Sequence, residues 1–247
     1  MFRASLFTVL LSASTVSVFA QTSPKPDGLW RGALGAGATV TSGNNDSITY
    51  TLNADAVKQT QEDKLSGYLQ AIYGRRKDNG ATQRTANLLR GGSIYNRNLN
   101  ERSFGFGLFD FERNTLIDLN LRGVVAGGLG YHVIKREGLT FDVSSGPAYN
   151  REKYTNETRD AFEWLVAEES THALSPTVSF RQRFAYYANL RDAGEYRFAL
   201  DAGLVFKINS RWNATMTVND RYQSNPRAGV KNNDLLFVTG VQYVFNP

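Results

Sequence analysis

The side chains best suited to catalysis in this chain are its two histidines, His132 and His172. On a β-strand, a serine two residues away would share a histidine's face, which is how a lipid hydrolase lets a base activate its nucleophile. Gly130 and Ile134 hold those places around His132, while Ser170 stands two residues before His172. No G-x-S-x-G elbow occurs, and neither histidine belongs to an H-E-x-x-H metal pattern. The cysteine count is zero, which excludes thiolate nucleophiles, disulfides and cysteine-ligated metal together. The pattern predicts no catalytic residue, no metal and no cofactor, and makes both histidines solvated lumen or loop residues.

A larger polar set has a different character. Asp118, Asn120, Arg122, His132, Asp142, Arg181, Arg183, Arg197, Asp201, Lys207 and Arg221 fall in segments where polar and apolar residues alternate with a period of two. If the apolar faces meet lipid, these residues line the lumen of a barrel. Paired across neighbouring strands they would satisfy one another in a narrow barrel; in a wider one they would line a water path with a mild preference for anions. A barrel of about 12 strands lies between the ~8 that side chains can fill and the ~16 that leave a channel. Strand number therefore leaves plug and pore both open.

The elements that would position these residues read as about twelve strands. Leu29 to Thr41 and Ile48 to Val57 form a hairpin around Ser42-Gly43-Asn44-Asn45-Asp46, and Leu119 to Val133 and Tyr196 to Ile208 are long strands with charges on one face. Phe104, Phe106 and Leu108 mark the apolar face of a fifth strand. The adjacent Leu88 and Leu89 leave the facing of Thr85 to Tyr95 open, and Glu168-Glu169 makes Phe162 to His172 weak as a strand. Asp220 falls on the lipid face beside Tyr222, which predicts either a place near the interface or a bulge turning it inward. The closing stretch carries Phe237, Thr239, Val241, Tyr243 and Phe245 on an uncharged face, and Gly240, Tyr243 and Phe245 read as an insertion signal for the barrel-assembly machinery.

The predicted architecture is all-β, an antiparallel up-and-down transmembrane barrel over residues 29–247, after a signal peptide at 1–20 and a leader at 21–28. Met1-Phe2-Arg3, the apolar run from Leu6 to Phe19 and Val18-Phe19-Ala20 supply the signal pattern. The chain has 247 residues, 6 prolines and 22 glycines, with no linker to divide it. Its mean hydropathy of −0.38 resembles that of a soluble protein, as expected when lipid-facing and lumen-facing residues average out. A soluble periplasmic β-sandwich is the structural alternative; aromatics near so many strand ends favour the barrel.

Short connections at Lys135–Gly138, Leu174–Pro176 and Asn209–Arg211 alternate with long ones at Arg75–Arg84, Arg151–Asp160 and Gln223–Asn233, which predicts a periplasmic N-terminus, with the tight Ser42 to Asp46 connection and the short link near Arg113 as exceptions on the outer side. Partners would be outer-membrane lipid and lipopolysaccharide, whose phosphates Arg75, Arg76, Lys77 and Arg84 could meet. The pI near 9.4 comes from basic residues interleaved with acidic ones, so nucleic acid is not expected.

Several segments together resemble the salt-induced outer-membrane protein family, whose shared domain has no assigned function. They are Thr41–Asn44, Gly127-Gly128-Leu129-Gly130-Tyr131-His132, Gly146-Pro147-Ala148-Tyr149, the stretch from Arg221 through Asn225-Pro226-Arg227 to Lys231, and Tyr243-Val244-Phe245. The resemblance implies a bacterial outer-membrane barrel with a link to salt or osmotic response, and it carries over no catalytic or ligand residue. The expected role is a small channel or a structural envelope barrel. A lipid-acting barrel enzyme is the rival.

Overall fold

The computed structural model describes residues 26–41, 46–78 and 81–246. Twelve strands cover most of them: β1 (Trp30–Thr41), β2 (Asp46–Gln59), β3 (Asp63–Asp78), β4 (Ala81–Asn98), β5 (Ser103–Asn114), β6 (Leu119–Arg136), β7 (Leu139–Tyr154), β8 (Thr158–Ala173), β9 (Val178–Asn189), β10 (Tyr196–Lys207), β11 (Trp212–Gln223) and β12 (Asn233–Phe245). Each pairs antiparallel with its sequence neighbour, and β1 pairs with β12. The sheet is a closed barrel, the form that leaves no backbone edge unpaired in lipid. At the seam Gly32 lies opposite Phe245, so the first and last strands begin and finish at one end, the terminal end; the opposite end is the far end. Residues 1–25, 42–45, 79–80 and 247 lie outside the described residues, and with them the signal peptide and most of the first turn.

The two-residue period decides what each strand turns outward. Leu34, Leu52, Val125, Leu129 and Leu235 are between 56% and 67% exposed. Burying one such side chain is worth about 1.5–3 kcal/mol, so a continuous face of them is stable against hydrocarbon and not against water. Aromatics flank this band. Trp30, Tyr95, Tyr131, Trp212 and Tyr243 gather toward the terminal end, while Tyr196 and Tyr222 stack at the far end with ring centroids 5.6 Å apart.

Three sequence expectations are corrected by the strands. First, the apolar face of β5 points inward: Phe104 and Leu108 are buried, and Phe106 packs on the interior cluster around Leu108, Val124 and Leu165. Asp110 and Glu112 share that face, and two successive carboxylates suit the polar lumen better than lipid. Second, β6 is not regular. A register shift between Leu119 and Leu121 turns Leu119 fully inward, and another falls between His132 and Ile134. Third, the long connections expected at Arg75–Arg84 and Arg151–Asp160 are mostly strand, because β3 and β4 run to Asp78 and from Ala81, and β7 and β8 to Tyr154 and from Thr158. Only residues 224–232 form a long far-end loop among the described residues.

β4 and β8 acquire definite facings. Arg90 is buried inside while Leu89 and Tyr95 face out, and Leu165 and Glu169 point inward while Trp164 and Val166 face out. The Gly127–His132 and Gly146–Tyr149 segments meet across β6 and β7. Pro147 has no N–H for the ladder, and a Cβ on Gly128 would sit 2.2 Å from the Ser145 carbonyl oxygen. At the seam the Phe245 ring covers Gly32, where a Cβ would sit 2.4 Å from it, and Asn246 donates from its side chain to the Trp30 carbonyl at 3.0 Å.

Candidate functional site in the barrel lumen

The lumen is filled unevenly. Between β5 and β9, Leu108, Val124, Ala126, Ala148, Leu165, Ala185 and Tyr187 form an apolar wall. On the opposite side Ile72 and Val238 pack with Ala86, Leu88 and Leu236. Charged side chains occupy the space between them.

Most of those charges are bonded to one another. Arg197 donates to both Glu163 oxygens at 2.8 and 2.7 Å while its guanidinium lies 3.6 Å from the Tyr187 ring centroid. Arg122 donates to Glu152 at 2.9 Å and reaches Glu112 at 3.6 Å, and Glu152 also accepts from Tyr154 at 2.7 Å. Arg221 donates to Asp201 at 2.7 Å, and Arg90 to Gln70 at the same distance. Tyr68 donates to Asp110 at 3.0 Å across a gap that only glycine leaves, because a Cβ on Gly92 would lie 2.0 Å from the Asp110 carboxylate. Glu163 and Glu152 each accept two or more strong bonds, the condition under which charges persist in a low-dielectric interior.

A cavity of about 390 Å³ lies within this network. Its mouth is at the far end, bordered by Leu116, Ile117, Val230 and Lys231, and eight of its lining residues are Arg or Lys against five Asp or Glu. The cavity does not reach the terminal end. Arg31, Asp55, Lys64, His132 and Asp142 lie in the lumen below it and none lines it. There Lys64 of β3 reaches across the barrel to Glu169 of β8 at 3.4 Å, and Arg31 is held by Asp27, Nη1 to Oδ1 2.8 Å. The hydrogen bonds from Arg31 keep the exposed Asp27 carboxyl well below the usual carboxylate range. The far-end loop leans over the mouth, with Arg227 3.3 Å from Asp118 and 5.3 Å from the Tyr154 ring centroid.

Of the residues expected in the lumen, Arg122, Arg181, Arg183, Arg197, Asp201 and Arg221 line the cavity. His132 and Asp142 face inward nearer the terminal end, His132 Nδ1 lying 2.7 Å from Asp142 and Nε2 3.2 Å from Asn98. The other three sit elsewhere. Asp118 occupies a left-handed turn at the far rim, φ 56°, and is 64% exposed on its side chain. Asn120 is exposed beside Thr155, on the wrong side of the Leu119–Leu121 shift. Lys207 is the last residue of β10 and is exposed at the terminal rim. Asp220 stays on the outer face one pair from the Tyr222 level, with unbroken pairing on both sides, so no bulge turns it inward.

His172 falls on the outer face by the alternation of β8 and lies against Phe180, ring centroids 5.8 Å apart; Ser170 is buried and borders the cavity wall, and no hydrogen bond joins the two among the described residues. Nor do the described residues hold any group of three His, Cys, Asp or Glu placed to bind a metal.

Sequence reasoning missed Tyr68, Arg90, Asp110, Glu112, Glu152, Glu163 and Lys64–Glu169. For two of these a signal existed. Asp110 and Glu112 continue the Phe104-Phe106-Leu108 face, and two carboxylates there mark it as internal. Pairs such as Lys64–Glu169 left no trace, since their partners are 105 residues apart.

No curated protein matches the chain. Among solved structures the NanC porin aligns at 9% identity over 87% of this chain and 97% of that one, TM-score 0.47. The KdgM porin in complex with disordered oligogalacturonate aligns at 11% identity over 88% and 100%, TM-score 0.46. The translocator domain of autotransporter NalP from Neisseria meningitidis aligns at 13% identity over 88% and 87%, TM-score 0.46. At such identities the likeness is one of fold. The family model described as "Protein of unknown function, DUF481" matches residues 34–245, and the chain belongs to that family.

Proposed function

We propose that the protein is an outer-membrane barrel that presents a cation-rich pocket to the cell exterior and bars it on the periplasmic side. The termini would face the periplasm, and residues 1–20 would direct export. The observation that carries this reading is the cavity that opens at the far end and stops above the Lys64–Glu169 pair spanning the lumen. Passage of a solute would require that terminal layer to part, which makes the barrel a gated small-solute channel and not an open pore. Lipid contacts the outer face, and Arg75, Arg76, Lys77 and Arg84, where β3 and β4 run on at the far end, meet lipopolysaccharide phosphates. Gly240, Tyr243 and Phe245 serve the barrel-assembly machinery.

Planar-bilayer recording on the refolded protein tests the reading. Wild type should show no steady conductance at low voltage, and Lys64→Ala combined with Glu169→Ala should show discrete openings. Steady ohmic conductance of the wild type would refute the bar.

A further inference from the structure

We infer that residues 224–232 form a hinged strap across the outer mouth of the cavity, latched by Arg227 and released to admit a solute. The inference rests on the reading of a pocket open at the far end and names what controls entry there. The base of the strap is fixed. The Gln223 N–H donates to the Asn232 carbonyl at 2.8 Å, the Asn232 side chain donates to the Gln223 and Ser224 carbonyls at 3.0 and 3.2 Å, and Ser224 Oγ accepts from the Tyr196 N–H at 2.8 Å. The tip is preformed as well. The Val230 N–H donates to the Arg227 carbonyl at 3.0 Å, closing a turn whose third residue, Gly229, has φ 85°, a conformation that favours glycine.

From that base the loop reaches across the barrel. The β11–β12 and β5–β6 connections stand diametrically opposite, with six of the 12 strands on either side. Arg227 joins them, its Nη1 3.3 Å from Asp118 Oδ2 beyond β5, its guanidinium 5.3 Å from the Tyr154 ring centroid and its Nε 4.0 Å from Glu157 in the β7–β8 turn. No other hydrogen bond or ion pair ties residues 226–231 to the rest of the barrel among the described residues. Each tether is weak: Asp118 and Glu157 are exposed, and Glu157 already accepts from Arg159 at 2.7 Å. Exposed pairs of this kind contribute little, so the tip opens when one side chain lets go, while the base holds. Pro226, Arg227, Val230, Lys231 and Asn232 all line the cavity, so lifting the tip removes part of its roof.

The test follows a thiol in the cavity wall, Ala199→Cys in a chain without cysteine, as an anionic, membrane-impermeant maleimide is applied to the far end of the barrel in lipid vesicles. Adding Arg227→Gln should raise the labelling rate about threefold to tenfold, the change expected when an exposed ion pair and a cation–π contact are lost. Removing a cation from the mouth weakens its attraction for an anionic reagent, so the field opposes this result. Asp118→Asn should raise the rate by less, since Tyr154 and Glu157 remain, and should add nothing once Arg227 is replaced. Lys231→Gln takes a cation from the same loop that has no ion pair with a described residue, and should leave the rate within about twofold. All three positions lie outside the strands, and heat-modifiable gel mobility confirms that each variant is folded. An unchanged rate with Arg227→Gln, or an equal rise with Lys231→Gln, would overturn the latch, and additive effects of Arg227→Gln and Asp118→Asn would overturn Asp118 as its seat. Failure here differs from failure of the far-end opening: a thiol labelled from the far end at one rate in every variant refutes only the strap, and a thiol reached only from the terminal end refutes the opening.

Discussion

Replacing Glu163 with alanine should be among the most destabilising single changes in the lumen. Glu163 is 6% exposed on its side chain and Arg197 16%, and two hydrogen bonds of 2.8 and 2.7 Å join them. The substitution leaves the guanidinium charged and without a carboxylate, and breaking a buried pair in this way costs about 3–5 kcal/mol. Arg197 borders the cavity, from which water can reach it, so the low end, about 3 kcal/mol, is expected. The stacking of Arg197 on Tyr187 at 3.6 Å survives the change and does not enter the difference. Urea unfolding of the barrel in lipid vesicles, followed by tryptophan fluorescence, measures it. Combining Glu163→Ala with Arg197→Ala removes the orphaned charge, so the pair together should cost less than the sum of its parts by about 2 kcal/mol or more. A loss below about 1 kcal/mol for Glu163→Ala would mean a solvated surface pair. The lumen would then be water-filled at that level, contrary to its packing.

Other expectations follow from single contacts. Gly92→Ala puts a methyl group where the Asp110 carboxylate lies, so it should separate Tyr68 from Asp110 and lower the unfolding midpoint, while Gly107→Ala, with nothing near its Cβ position, should not. Gly32→Val drives a side chain into the Phe245 ring and the Asp55 carbonyl at the seam; barrel closure, read as heat-modifiable mobility, should fail or slow by more than with Phe245→Leu. Deleting Asn246 and Pro247 together removes the bond from Asn246 to the Trp30 carbonyl, so insertion should persist with a faster-unfolding seam. The Asp27 pKa is lower in the folded chain than in the unfolded one, so its contribution is complete above about pH 4, the ordinary aspartate range, and fades only as pH falls further. Asp27→Asn should therefore lower stability at neutral pH and flatten the acid limb, the variant and wild-type curves converging as pH falls.

The fold was largely legible because a transmembrane strand writes its two faces into alternate residues. Leu34, Ala36, Ala38 and Val40 against Ala33 and Gly35 in β1, or Leu121, Val125 and Leu129 against Arg122 and Val124 in β6, show the outward side without any structure. What alternation cannot show is a change of phase. One extra residue between Leu119 and Leu121 reverses the facing, which is why Asn120 lies outside and Leu119 inside. Nor does an apolar face say which solvent it meets. Phe104, Phe106 and Leu108 are as apolar as a lipid face, but they pack on Leu165 and its neighbours across the lumen. The arginines were visible one by one; their partners were not, because Arg197 finds Glu163 34 residues away and Arg122 finds Glu152 at 30.

The most direct test of the barred lumen uses the absence of cysteine from the sequence. Ala199→Cys introduces a thiol into the cavity wall, and Val57→Cys places one inside the terminal layer, where Val57 is 1% exposed. A membrane-impermeant maleimide applied to the far end should label Ala199→Cys, and the same reagent applied to the terminal end should label neither variant. Labelling of Ala199→Cys from the terminal end, in a barrel whose far end is protected, would contradict a lumen closed on that side.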